Sequence, residues 1–447
     1  MSRLVHRNLK RSYPLAVSGA GLELRAGDQR SYLDACGGAA VSCLGHGHPH
    51  VIAAMERQLR SVDYVHTSFF STEAAERLAD HLVARAPKGI THVSLVSGGS
   101  EAMETALKLA RQAAVERGEA GREIVISRRQ SYHGNTLGAL SVSGNVNRRQ
   151  LYAPLLFPAR FIGPCFAFRY AEPGESLEAY GARAAAELEA AILEAGPDSV
   201  LAFVAETVVG ATSGAVAAAP GYFRRAREIC DRHGVLLILD EVMCGMGRTG
   251  TLHACEQEGI APDLMTIAKG LGAGAAPIGA VLVGARVHDA IAGGSGIYQH
   301  GFTYMGHPLA AAAALAVQEV IEREDLIANV TRRGAELAAL LDERIGSHRH
   351  VGDIRGRGLF IGIEFVADRQ TMAPFAPAMK VNRLVQDAAM AEGLMVYAMS
   401  GTIDGVSGDH VMLAPPFTID GAAVEAIVER LTRAVAAAMT PELARSA

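Results

Sequence analysis

Lysine is scarce in this chain. Of 42 basic residues only five are lysines, Lys10, Lys88, Lys108, Lys269 and Lys380, and arginine carries the positive charge everywhere else. Long hydrophobic runs are missing too. The most apolar stretch, LAAAAALAV at 309–317, is far too short to span a bilayer. The opening MSRLVHRNLKRSY lacks the apolar core of a secretory signal, so a cytoplasmic protein is expected. There is no basic run, and the net charge is −5, which argues against nucleic acid or an anionic membrane as partner. The six cysteines form no CxxC pair and no dense cluster, which removes a disulfide framework or a cysteine zinc site from consideration. No GxGxxG follows an apolar run and no glycine loop ends in GK[ST], which disfavours a dinucleotide or a nucleoside triphosphate. Small molecules remain as the expected partners.

The chain has 447 residues, enough for a large domain and a smaller one. Short apolar runs alternate with helical patterns between about 90 and 285: THVSLVS, EIVIS, SVLAFVAE, VLLILD, LMTIA and GAVLVG. That alternation predicts an α/β domain with a mostly parallel sheet flanked by helices. Beyond Pro308 the order changes to an alanine-rich helix, the strand-like IRGRGLFIGIEFV, a helix around 378–392, LMVYA, HVMLA and a helix from 421, the pattern of a smaller α+β domain. A hairpin in GLELRAGDQRSYLDACGG is expected to pack onto it. The predicted division is 1–60 as an N-terminal segment on the small domain, 61–307 as the large domain and 308–447 as the C-terminal small domain.

Within the large domain, Lys269 is the one charged residue of LMTIAKGLGAGAAPIGAVLV. A lysine in an apolar pocket can lose its proton and act as a nucleophilic amine, which an arginine cannot do. A lysine snorkelling from a strand end satisfies the same pattern. Asp240 closes the buried run VLLIL, at the strand edge where open α/β sheets bind ligands. A carboxylate there can hold a pyridinium nitrogen protonated, or simply cap a loop. The company of Asp240 and Lys269 on neighbouring strand ends favours the chemical reading. In SGGSEAMETALKLAR a glycine pair opens into a helix, so Gly99 and Ser100 can cradle a single phosphate as well as make a plain turn. Tyr132 and His133 follow the strand EIVIS, where an aromatic ring can stack on a planar ligand. Thr303, between Gly301 and Gly306, offers one more hydroxyl. His46, His48 and His50 raise a metal site, but no fourth ligand at zinc spacing is present and Pro49 interrupts a strand, so a tight polar turn is expected and no metal.

In order along the chain, YLDACGGAAVSCLGHGHPHV, SGGSEAMETALKLAR, SYHGNTLGALS, AETVVGATSG, LILDEVMCGMGRTG, TIAKGLGAGAAPIGAVLV, GFTYMGHP and APPFTI closely resemble the class III, or ω-, aminotransferases among the fold type I pyridoxal-phosphate enzymes. The resemblance implies pyridoxal 5'-phosphate as cofactor, with Lys269 as its Schiff-base lysine and Asp240 paired with the pyridine nitrogen. It implies Val242 under the ring, Tyr132 and His133 beside it, Gly99 and Ser100 at the phosphate, and Glu206 near the phenolic side. Thr303 would reach the phosphate of a neighbouring subunit in a homodimer. The implied reaction moves an amino group from an ω-amino acid or amine to a 2-oxo acid through the pyridoxamine form, with an epimerase, racemase or lyase on the same fold as the alternative. Two departures stand out. GLMVYAMSGTIDGVSGDHVMLAPP has Tyr397 and an insertion but no arginine, where many relatives place one to grip substrate carboxylate, and Met246 stands where many have an aromatic.

Overall fold

The structure, a computed structural model, describes residues 3–439. At its centre lies a seven-stranded sheet in the order Ile90–Val96, Gly279–Gly284, Leu264–Ile267, Leu236–Asp240, Val200–Glu206, Ile124–Arg128, Arg160–Ile162. The middle strands VLAFVAE, LLILD and LMTI are buried along their whole length. Continuous apolar runs of this kind suit strands covered by helices on both faces. Their side chains alternate accordingly. Leu237 and Leu239 join a core with the helices Leu177–Ala195 and Tyr222–His233, while Leu236 and Ile238 join another with the helix Gly99–Glu116.

From Leu264–Ile267 to Arg160–Ile162 every neighbouring pair is parallel. Gly279–Gly284 runs antiparallel to both its neighbours. The chain after Lys269 returns through a loop rather than a crossover helix, which is the connection an antiparallel pair permits. The sheet is thus mixed and mostly parallel, within the expected α/β class. Local signals punctuate its helices. Gly234 ends Tyr222–His233 in the left-handed conformation at φ 68°, and the Thr72, Ser176 and Asp420 side chains each accept an N-terminal amide of the helix they precede.

The hairpin of Glu23–Ala26 and Ser31–Asp34 forms as expected, and Ser31–Asp34 continues in parallel pairing with Leu394–Met395. A second four-stranded sheet, Val351–Arg357, Phe360–Phe365, Asp409–Leu413, Tyr397–Ser400, is antiparallel throughout. The helix Pro308–Arg323 serves both cores. Ala310, Ala311 and Ala314 pack into the large-domain core, and Ala313, Val317 and Val320 into the C-terminal one. All six cysteines are buried and free. Among the described residues no helix is long and apolar enough to cross a membrane.

Candidate active site

Strand register brings the chemistry together. Asp240 lies opposite Glu206 on one side and Thr266 on the other, so three adjacent strands end at one edge, and Lys269 follows two residues beyond Ile267. These ends face a cavity of about 410 Å³ lined by Lys269, Asp240, Glu206, Val242, Tyr132, His133, Gly99 and Ser100, with Val41, Met243 and Ile278 among its apolar walls. Lys269 sits at φ 40°, a left-handed conformation that costs a side-chain-bearing residue about 1–3 kcal/mol. Desolvation pulls its ammonium below the ordinary value of 10.5, while the charges of Asp240 and Glu206 act in the opposite direction. The amine is thereby brought nearer to its neutral, nucleophilic form.

Asp240 is 5% exposed. One carboxylate oxygen accepts the Val242 N–H at 3.0 Å, and the other lies 2.8 Å from His133 Nδ1. An ionised carboxylate only accepts, so this pair places the proton on Nδ1, and His133 Nε2 faces Ser127 Oγ at 3.3 Å. Glu206 is also buried, and burial pushes its carboxyl pKa up. Its two oxygens accept the Tyr132 N–H at 2.9 Å and the Gly210 N–H at 2.8 Å. Glu206 therefore clamps the turn that carries Tyr132 to the strand edge.

The helix Gly99–Glu116 opens onto the cavity. A Cβ on Gly99 would stand 2.7 Å from Val242 Cγ1, and one on Gly134 would stand 2.7 Å from Ser100 Oγ. Only glycine lets the helix start, the Val242 wall and the Tyr132 turn approach this closely. Ser100 Oγ accepts the Asn135 N–H at 3.0 Å and keeps its own proton to donate.

Thr303 is not brought to this cavity. It is exposed, and its carbonyl accepts a hydrogen bond from Tyr64 at 2.9 Å. The histidines of LGHGHPH separate. His46 faces Asp34 at 3.3 Å, His48 precedes the helix Pro49–Ser61, and His50 faces Glu319 at 3.1 Å. No three metal-binding side chains cluster among the described residues. Met246 is packed in the large-domain core, whereas Met243 is the methionine on the cavity wall. Sequence reasoning missed the apolar walls at Val41 and Ile278, which nothing in their local pattern marks as functional.

An amine of lowered pKa, a buried carboxylate, a flat aromatic, an apolar side chain on the facing loop and a glycine helix start form a donor set that fits a phosphorylated pyridine aldehyde. The tight approach at Gly99 meets the same requirement, since it sets a helix start without side-chain bulk against Val242.

Residues 7–435 match the family model described as Aminotransferase class-III. The chain is 46% identical to an uncharacterised aminotransferase of Schizosaccharomyces pombe, with 94% of this chain and 92% of that protein covered. It is 36% identical to a diaminobutyrate–2-oxoglutarate transaminase of Halomonas elongata, over 94% of this chain and 89% of that one. Among solved structures, the omega transaminase from Pseudomonas jessenii in complex with PMP superposes with a TM-score of 0.90 at 32% identity, covering 95% of this chain and 93% of that chain.

Proposed function

We propose a donor and acceptor class for this chain, which belongs to the class-III aminotransferase family and is a pyridoxal-phosphate-dependent transaminase. The donor is an ω-amino acid or simple amine, and the acceptor is a 2-oxo acid of the pyruvate or 2-oxoglutarate type. The observation that carries this reading is the convergence of Lys269 and Asp240 on one strand edge, inside a cavity that also holds Tyr132 and Val242.

Bound pyridoxal phosphate supplies an electron sink and carries the amino group between the two half-reactions. Lys269 would hold the group through its Nζ, and the same amine, once free, would move a proton as general base and acid. Asp240 would hold the ring nitrogen protonated. His133, 2.8 Å behind it, fixes the carboxylate in place. Tyr132 and Val242, both on the cavity wall, would lie against the ring and keep water from it. The amides at Gly99 and Ser100 bind the phosphate, helped by the positive end of an 18-residue helix. Glu206 acts through the Tyr132 turn that it clamps.

Thr303, exposed in one subunit, completes the phosphate site of a second subunit, so the working unit is a homodimer. A split into 1–60, 61–307 and 308–447, with the first segment joined to the last through Ser31–Asp34, completes the reading.

Mixing enzyme with a good donor and no acceptor tests the reaction class. One equivalent of carbonyl product and one of pyridoxamine phosphate are expected, and a 2-oxo acid should restore the starting spectrum. Donors without an α-carboxylate should discharge the cofactor faster than common α-amino acids. Sustained product formation with no pyridoxamine phosphate under any donor would refute transamination in favour of an epimerase or lyase.

A further inference from the structure

The stretch 394–415 contains no arginine, yet both ω-amino acids and 2-oxo acids carry a carboxylate that a site must hold. A different arginine stands beside a residue of the cavity wall. Arg148, from the short helix Val146–Arg149, places its guanidinium 4.3 Å from the centre of the Tyr132 ring, and Tyr132 lines the cavity with Lys269. It is half-buried, and among the described residues it pairs with no carboxylate. Its charge reaches the reacting amine, where it opposes protonation of Lys269.

Neighbouring arginines are occupied or remote. Arg149 donates to the carbonyls of Leu140 at 3.2 Å and Ser143 at 2.8 Å, and Arg128 is buried against the Glu206 carbonyl. Arg7 also acts on Tyr132 but is exposed on the N-terminal segment.

The 401–408 loop contacts the segments around Arg148. Asn147 donates to the Gly405 carbonyl, Gln130 donates to the Gly401 carbonyl, and Tyr170 Oη donates to the Ile403 carbonyl at 2.7 Å. The 401–408 loop thus grips the residue next to Arg148.

We infer that Arg148 is the residue that binds the substrate carboxylate, that of an ω-amino acid donor and of the 2-oxo acid acceptor in turn, and that the 401–408 loop positions it. This inference rests on the transaminase reading. A planar guanidinium with free donors suits a carboxylate, and stacking on an aromatic ring leaves its edge available for paired hydrogen bonds.

The test compares Arg148→Gln and Arg148→Lys with wild type and with Arg7→Gln, all as holoenzyme with cofactor content checked. Two measurements are needed: the ratio of cofactor discharge rates with β-alanine and with 1-propylamine, and the calorimetric affinity for propionate, which cannot react. In Arg148→Gln the rate ratio and the propionate affinity should each fall roughly 10- to 100-fold, as for the loss of charged hydrogen bonds. Arg148→Lys should recover part of both, and Arg7→Gln should move neither. Equal loss for β-alanine and 1-propylamine would mean that Arg148 only props Tyr132, and would overturn the inference, as would a shift in Arg7→Gln instead. If wild type is discharged by no donor while propionate affinity still falls in Arg148→Gln, transamination fails and the carboxylate site stands.

Discussion

Asp240 is 5% exposed and tied to His133 at 2.8 Å and to Val242 at 3.0 Å, whereas Thr303 stands exposed on a loop anchored through its own carbonyl to Tyr64. The strand-end floor of the cavity is complete within one chain. Parallel register aligns Glu206, Asp240 and Thr266 before any ligand arrives, and burial strengthens the electrostatics of the two acids. The Thr303 hydroxyl has no such setting in its own subunit. In the proposed homodimer a phosphate contact from that loop reaches across a subunit boundary, so damage to the floor and damage to the loop should differ in whether dilution matters.

The largest effect is expected at Lys269. Lys269→Ala should lower turnover by roughly 10⁴-fold or more at any protein concentration, while the fold persists. Borohydride trapping and peptide mapping check it, and a tag on Lys108 or Lys380 would remove Lys269 from its role. Asp240→Asn keeps the side-chain shape and loses the charge, so proton removal should slow by roughly 10²- to 10³-fold with little change in stability. Single-turnover rates equal to wild type would exclude Asp240 as the ring-nitrogen partner. Thr303→Ala should weaken cofactor retention about tenfold, and the deficit should grow on dilution. A wild-type protein that sediments as a fully active monomer would break the contrast between the two regions.

The smallest effect concerns pH. The Lys269 amine is the reactive form, and burial lowers its pKa, so covalent capture of the cofactor by apoenzyme should rise with pH and level off below the ordinary lysine value of 10.5. Asp240 and Glu206 favour the ammonium. Asp240→Asn should therefore shift the profile to lower pH still, and a shift to higher pH would contradict the electrostatics of the floor.

Much of this site was legible along the chain because its parts sit where local patterns end. Asp240 closes an apolar strand, Lys269 follows one, and Gly99 opens a helix, so strand and helix periodicity marked these positions while the family resemblance supplied their expected roles. The linkage of His133 to Asp240 was not legible, since 107 positions separate them and no local pattern connects a turn to a strand two places away in the sheet. The Glu206 clamp on the Tyr132 turn spans 74 positions and was hidden for the same reason. Met246 and Met243 show a subtler limit: composition marks both as apolar, and only the turn's geometry sends one to the core and the other to the cavity wall.

By itself the sequence determined the alternating strands and helices, the edge at which they end, and the identity of the amine and acid placed there. These depend on hydrophobic period and on turn residues, which act over a few positions. Tertiary structure decided the antiparallel return of Gly279–Gly284, the joining of the N-terminal hairpin to Leu394–Met395, and the delivery of Arg148 to Tyr132 under a loop more than 250 residues away in the chain. Those contacts follow from how whole elements pack, and packing couples residues by distance in space rather than by spacing in sequence.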